Sequence, residues 1–216
     1  MLTQKRFLFR FRCPCRYVGN PWSAKGYSLD ESYRLPDLST LDDANSVSNH
    51  ELRIGWNERG LAFSLDVSGK KQRPWCRSLH PEESDGLQIC LDTRDVKDTH
   101  RAGRFCHRLV FLPMLGDVGK SAPSVVWLPI HRAKDHPNPV DLDRIKIVTR
   151  LNPDGYRLDV FLPGEVLTGY DPVEHPMLGF HFVVVDRELG NRYFLAEPPF
   201  PHDQDPSLWG TLELQK

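Results

Sequence analysis

The chain lacks a dominant charge. In 216 residues, 28 lysines and arginines stand against 29 aspartates and glutamates, a formal net charge of -1. A protein that binds nucleic acid by releasing counterions carries a broad basic face, so no nucleic-acid partner is expected. Long apolar runs are missing too. None approaches the roughly 18 residues of a helical membrane span, so no membrane partner is expected. There is no Asn-x-Ser/Thr acceptor, no Cys-x-x-Cys and no Gly-x-Ser-x-Gly. These absences remove a glycosylation signal, the usual thiol redox and zinc spacing, and a hydrolase nucleophile elbow. The segment from Gly116 to Ser121 ends like a phosphate loop. Met114 stands where its first glycine belongs, and Pro123 blocks the helix that must follow. No metal-ligand spacing links the histidines: on a strand, Cys106 and His107 point to opposite faces. No enzyme activity is expected.

The five cysteines, at 13, 15, 76, 90 and 106, are an odd set. Cys13 and Cys15 share one face of an extended strand, where a bridge between them is strained. Arg10 and Arg12 interrupt the apolar stretch a secretory signal needs. A reduced, cytoplasmic protein is the expectation.

What the chain has is period two. Phe7, Phe9, Phe11, Cys13, Cys15 and Tyr17 alternate with Leu8, Arg10, Arg12, Pro14 and Arg16. This predicts a half-buried strand, and Pro14 places it at a sheet edge. Gly19 to Asn49 reads as a long irregular connection with little core. Leu52, Ile54 and Trp56, the turn Asn57-Glu58-Arg59-Gly60, then Leu61, Phe63, Leu65 and Val67 predict a hairpin. Ile145 to Val148, Asn152-Pro153-Asp154-Gly155, and Tyr156 to Leu162 predict another. Further strands are expected at Leu87–Leu91, Phe105–Leu112, Val125–Ile130, Leu178–Val185, Tyr193–Ala196 and Thr211–Leu214, with one helical turn near Pro163–Thr168. No sustained i, i+3, i+4 stripe exists. The pattern is that of an all-β sandwich or barrel, read as a single domain over 1–216 with residues 1–49 as an N-terminal extension. The 18 prolines and 15 glycines punctuate the loops.

Two features point to chemistry. Asp85, Asp92, Asp95 and Asp98 lie in and after one strand. They are hard oxygen donors of the kind calcium takes, but the spacing is not that of an EF-hand, and they read as a solvated acidic loop. Trp75 sits in a polar loop between Pro74 and Cys76. A loop tryptophan either plugs the end of a sandwich or offers its face to a ligand such as a sugar ring. Trp22, Phe200 and Trp209 are the other aromatics of this kind, with Trp209 read as structural.

The order of these pieces resembles the family 9 carbohydrate-binding modules and the wider DOMON-like sandwiches. The resemblance runs from Pro74-Trp75 through Asp85-Gly-Leu-Gln-Ile-Cys-Leu-Asp92 to Tyr156–Pro163. It continues through Leu178-Gly179-Phe180 to Asp186 and ends at Asp205-Pro206-Ser207-Leu208-Trp209-Gly210. It covers roughly 28–216. It implies a jelly-roll-like sandwich of two antiparallel sheets, non-catalytic, with a carbohydrate held between two loop tryptophans and structural calcium in several members. The first tryptophan carries over onto Trp75. The second position, seven before Gly210, is Asp203, with Phe200 and His202 close by. The expected site is therefore Trp75 and Phe200 as stacking groups, with Arg73, Arg77, His202 and Asp203 as hydroxyl partners. Asp85, Asp92 and Asp186 match family positions. The alternative is a sandwich that has lost the sugar site and serves a protein partner.

Overall fold

A computed structural model describes residues 10–19, 22–23, 25–27, 29–38, 48–116 and 121–216. Eleven strands form, and among the described residues no α-helix does; the helical turns are short 3-10 pieces. The strands are β1 (Arg12–Tyr17), β2 (His50–Asn57), β3 (Gly60–Ser68), β4 (Gly86–Asp92), β5 (Cys106–Leu115), β6 (Ala122–Trp127), β7 (Lys146–Asn152), β8 (Gly155–Pro163), β9 (Met177–Val185), β10 (Arg192–Tyr193) and β11 (Gly210–Gln215). One sheet contains them all, in the order β6-β5-β4-β9-β11-β1-β2-β3-β8-β7, with β10 added to β9. Every pairing is antiparallel except the two that β1 makes.

Alternation builds the core. Leu52, Ile54 and Trp56 on β2, Leu61, Phe63 and Leu65 on β3, and Leu87, Ile89 and Leu91 on β4 all point inward and are buried. Phe63 stacks on Phe180 of β9 at 6.2 Å, although β3 and β9 lie far apart in the strand order. The sheet therefore curls over its own core, and its end strands β6 and β7 come close to one another. It is a large, mostly antiparallel sheet nearly closed into a barrel. Each fully buried aromatic or aliphatic side chain contributes about 1.5–3 kcal/mol by leaving water.

Both hairpins form as the alternation predicts, with Asn57 paired to Gly60 and Asn152 to Gly155. At the β2–β3 turn, the Asn57 side-chain carbonyl accepts the Arg59 amide at 2.9 Å, a local bond that fixes the reversal. The expected strand near Tyr193 reaches only Arg192–Tyr193.

Two expectations need correction. The first strand is not at an edge: β1 lies inside the order, parallel to both β11 and β2. The proline rule still holds locally, because β2 pairs only with Arg16 and Tyr17, and Pro14 has Glu213 of β11 as its sole ladder partner. Cys13 and Cys15 point inward as their shared face requires, while Tyr17 is exposed; all five cysteines are free thiols. Phe7, Leu8 and Phe9 lie outside the described residues, as do Gly119 and Lys120. The 19–49 connection also has more core than its composition suggests. Leu35 and Leu38 join the main core, and Tyr27 and Leu29 pack with Val18 and Ala62 on the outer side of β3. Tyr27 meets Phe161 of β8 at 6.0 Å, and its carbonyl accepts Arg157.

Candidate functional site

In an antiparallel ladder, residues directly opposite one another put their side chains on the same face. Leu87, Ile89 and Leu91 take the core face of β4, so Gln88 and Cys90 take the other. Opposite Cys90 stand Arg108 of β5 and His181 of β9; opposite Gln88 stand Val110 and Val183, with Tyr193 beyond. This outer face is the floor on which two loops meet.

The first loop runs from Lys70 to Asp85 and carries Trp75. Its anchor is Asp85, which is 1% exposed. The Asp85 carboxylate accepts the Trp75 amide at 3.0 Å and the Arg187 amide at 2.8 Å, and the Asp85 amide donates to the Trp75 carbonyl at 2.8 Å. Trp75 is thus held by both backbone groups, and its side chain is half-buried. The guanidinium carbons of Arg77 and Arg187 lie 5.0 and 4.4 Å from the indole centroid. Further along, Gln88 donates to the Glu82 carbonyl at 2.6 Å and ties the loop to the floor. Gly86 starts β4 with φ of 151°, and a Cβ there would sit 2.3 Å from the Phe111 carbonyl oxygen, so only glycine fits at this entry.

Behind Asp85 lies Lys70, 4% exposed. Its ammonium contacts Asp85 at 3.1 Å and both Asp186 oxygens at 2.7 and 2.8 Å. Asp186 also accepts the Glu188 and Leu189 amides at 2.9 and 2.8 Å. Burial works against the Asp186 carboxylate, but His50, Lys70 and these amides outweigh it and hold its pKa well below the carboxylate range. Burial likewise opposes the Lys70 ammonium, and Asp186 with Asp85 overrides it, so its pKa rises.

The second loop runs from Glu197 to Asp205. His202 packs on Tyr193 at 5.1 Å and on His181 at 5.4 Å. Burial lowers the His202 pKa. Asp203 pairs with Arg108 at 2.9 Å, and Arg108 reaches Gln88 at 3.3 Å. Phe200 is half-buried, and its carbonyl accepts the His202 amide at 2.8 Å. Trp209 is buried and donates its indole N–H to the His202 carbonyl at 2.7 Å, the structural role its place before Gly210 suggests.

The expected residues thus fall into two groups. Trp75 and Arg77 form one, with Arg73 exposed on the same loop. His202 and Asp203 form the other, with Phe200 beside them, joined to the first through Arg108 and Gln88. Sequence reasoning missed Arg187, Gln88, Arg108 and Lys70. Arg187 was within reach: Val185 pairs with Gly86, so the residues after β9 must lie beside those before β4.

The calcium that the resemblance allows does not suit the acidic residues. Calcium needs about six to eight oxygens at roughly 2.3–2.6 Å. Asp85 and Asp186 already share the Lys70 ammonium. Asp92, 2% exposed, spends its carboxylate on the Arg94 and Val96 amides at 3.0 and 2.8 Å, and burial raises its pKa. Asp95 pairs with Lys97 at 2.6 Å, and Lys97 also donates to the Trp209 and Gly210 carbonyls at 2.9 and 2.8 Å. Asp85 and Asp92 are therefore buried structural groups, not part of a solvated loop. Among the described residues, a set the histidine spacing did not predict, His80 with Glu82 and Glu83, places three ligand atoms within 4.8 Å on the Trp75 loop.

No family model matches the chain, and no curated protein sequence matches it. Solved structures do. A family 9 carbohydrate-binding module from Caldicellulosiruptor kristjanssonii in complex with cellotriose superposes with a TM-score of 0.60 at 16% identity, over 95% of this chain and 94% of that one. A structure of such a module in complex with glucose gives 0.60 and 16%, over 95% and 96%. A Bacteroides uniformis protein gives 0.51 at 13% identity, over 96% and 100%. The chain has the fold of the family 9 carbohydrate-binding modules, the resemblance its motifs carry.

Proposed function

We propose that this protein is a non-catalytic carbohydrate-binding module whose ligand lies on the outer face of β5, β4 and β9, against Trp75. The observation that carries the proposal is the pinned, half-buried indole. Asp85 fixes its backbone on both sides, which reduces the ordering cost of binding, and a rigid aromatic face suits the C–H face of a sugar ring. Arg73 and Arg77 supply polar groups on the Trp75 loop, Arg108, His202 and Asp203 supply them further along the floor, and Phe200 is the candidate second aromatic. The likeness to modules bound to cellotriose and glucose supports the ligand class. The sheet reads as a two-layer jelly roll, β6-β5-β4-β9-β11 against β1-β2-β3-β8-β7, supported by the Phe63–Phe180 stack across it. A single domain and a cytoplasmic location complete this reading.

A glycan array followed by calorimetry tests it. Wild-type protein is expected to bind a saccharide, and Trp75→Ala to lose about tenfold or more in affinity while keeping its circular dichroism spectrum. A folded wild type that binds no sugar overturns the proposal. One observation favours the second reading, a protein-interaction sandwich. Asp203 and Arg108 already satisfy each other across the floor, so these two groups are spent on the fold.

A further inference from the structure

The charged groups around Trp75 differ in how far the fold uses them. Asp85, Asp186 and Glu188, the acids that anchor the Trp75 loop, have committed partners. Asp85 and Asp186 hold Lys70. Glu188 accepts the Lys71 and Gln72 amides at 2.8 and 3.0 Å. Glu82 and Glu83 sit with His80 in the short 3-10 turn after it. Apart from Lys70, the cations near the indole have no such commitment. Several arginines elsewhere are paired with carboxylates, Arg53 with Asp66, Arg108 with Asp203, Arg150 and Arg157 with Asp159, while others such as Arg101 bond only to backbone carbonyls. Among the described residues, no ion pair joins Arg73, Arg77 or Arg187 to a carboxylate. All three are exposed, and the last two rest on the Trp75 ring.

We propose that the saccharide held at Trp75 is an acidic one, carrying a carboxylate or a sulfate that Arg77 and Arg187 engage. This rests on the carbohydrate-binding reading and adds the ligand's charge to it. The guanidinium fork matches the geometry of carboxylate and sulfate, donating two parallel N–H bonds to each. A guanidinium on an exposed ring is held by only about 0.5–1 kcal/mol, so it can swing to an arriving anion at little cost. A sugar lying on the indole brings an acidic substituent on its ring to where both guanidiniums stand. A neutral sugar leaves two cations unanswered and must displace them from the ring face it uses. Arg73, exposed on the same loop, adds to the local positive field. The whole-chain neutrality is compatible with such a site, because two guanidiniums lie at the indole without a carboxylate partner.

Calorimetry decides between the outcomes, using the intact chain at low and high salt. The ligands are an oligogalacturonate, a sulfated disaccharide and the neutral cellotriose. The acidic ligands are expected to bind about tenfold or more tightly than cellotriose at low salt, with affinity falling as salt rises. Of the two acids, the tighter one identifies the source of the charge. Arg77→Gln/Arg187→Gln, both exposed and so compatible with the fold, is expected to remove that preference without lowering the melting midpoint. If cellotriose binds as tightly as the acids and the double variant is unchanged, the acidic-ligand inference fails while the module reading stands. If none of the three binds to folded protein, and the glycan array is also blank, both fail.

Discussion

Lys70 is the residue whose removal should be felt furthest. It is a lone ammonium between two carboxylates that are each 1% exposed. Breaking a buried ion pair by deleting one partner leaves an uncompensated charge, which costs about 3–5 kcal/mol. Lys70→Met is therefore expected to lower unfolding free energy in denaturant by about that much and to alter Trp75 fluorescence, because Asp85 anchors both. For the wild type, a chelator is expected to leave the melting midpoint unchanged, since the Lys70 ammonium already holds these acids. The depressed Asp186 pKa gives stability that is present above the ordinary carboxylate value and lost as pH falls. The raised Lys70 pKa gives stability that is present below the ordinary lysine value and lost as pH rises. The pair therefore contributes fully from about pH 4 to pH 10. His107 makes a second prediction. Its Nε2 accepts the Thr168 amide at 3.0 Å, which puts the proton on Nδ1, and burial lowers its pKa to about 4. A base that stays neutral when folded but charges when unfolded makes the unfolded state bind more protons below pH 6.5. Stability should fall by about 3 kcal/mol from pH 7 to pH 4. His107→Gln should flatten that slope in urea titrations at the two pH values.

At the scale of elements, the strands were legible because alternation is a local signal. Leu52 to Val67 shows its turn, its register and its core face in one stretch of chain. The 19–49 connection was not, because Tyr27, Leu29 and Leu35 find partners on β2, β3 and β8 that no local pattern reveals. The same holds for β1, whose neighbours come from the far end of the chain and from β2. The site was half legible. Trp75 announces itself by polar surroundings, whereas Arg187 and Arg108 join it only through the pairing of β9 and β5 with β4. Gly86 tests how that pairing positions the site. Gly86→Ala drives a Cβ toward the Phe111 carbonyl at a φ that side chains rarely adopt, a cost of roughly 1–3 kcal/mol. The expected result is a lower melting midpoint together with weaker saccharide binding, because Asp85 and the Trp75 amide move with the start of β4. Unchanged binding in a destabilised Gly86→Ala protein would separate the strand entry from the site.

For the whole molecule, continuity between the two halves of the sheet runs through β11, β1 and β2. The Phe63–Phe180 stack joins β3 and β9 across the core. The first and last strands of the described residues are side by side, and β1 runs parallel to β11, with Arg12 beside Thr211 and Arg16 beside Gln215. The chain therefore enters this ladder at one end and leaves it at the other. Tension applied through the two termini would load the β1–β11 hydrogen bonds in shear, all at once, instead of peeling them one by one. Resistance to pulling is governed by the barrier to that concerted rupture and so by the unfolding rate. The pairing that closes the fold is also its mechanical clamp.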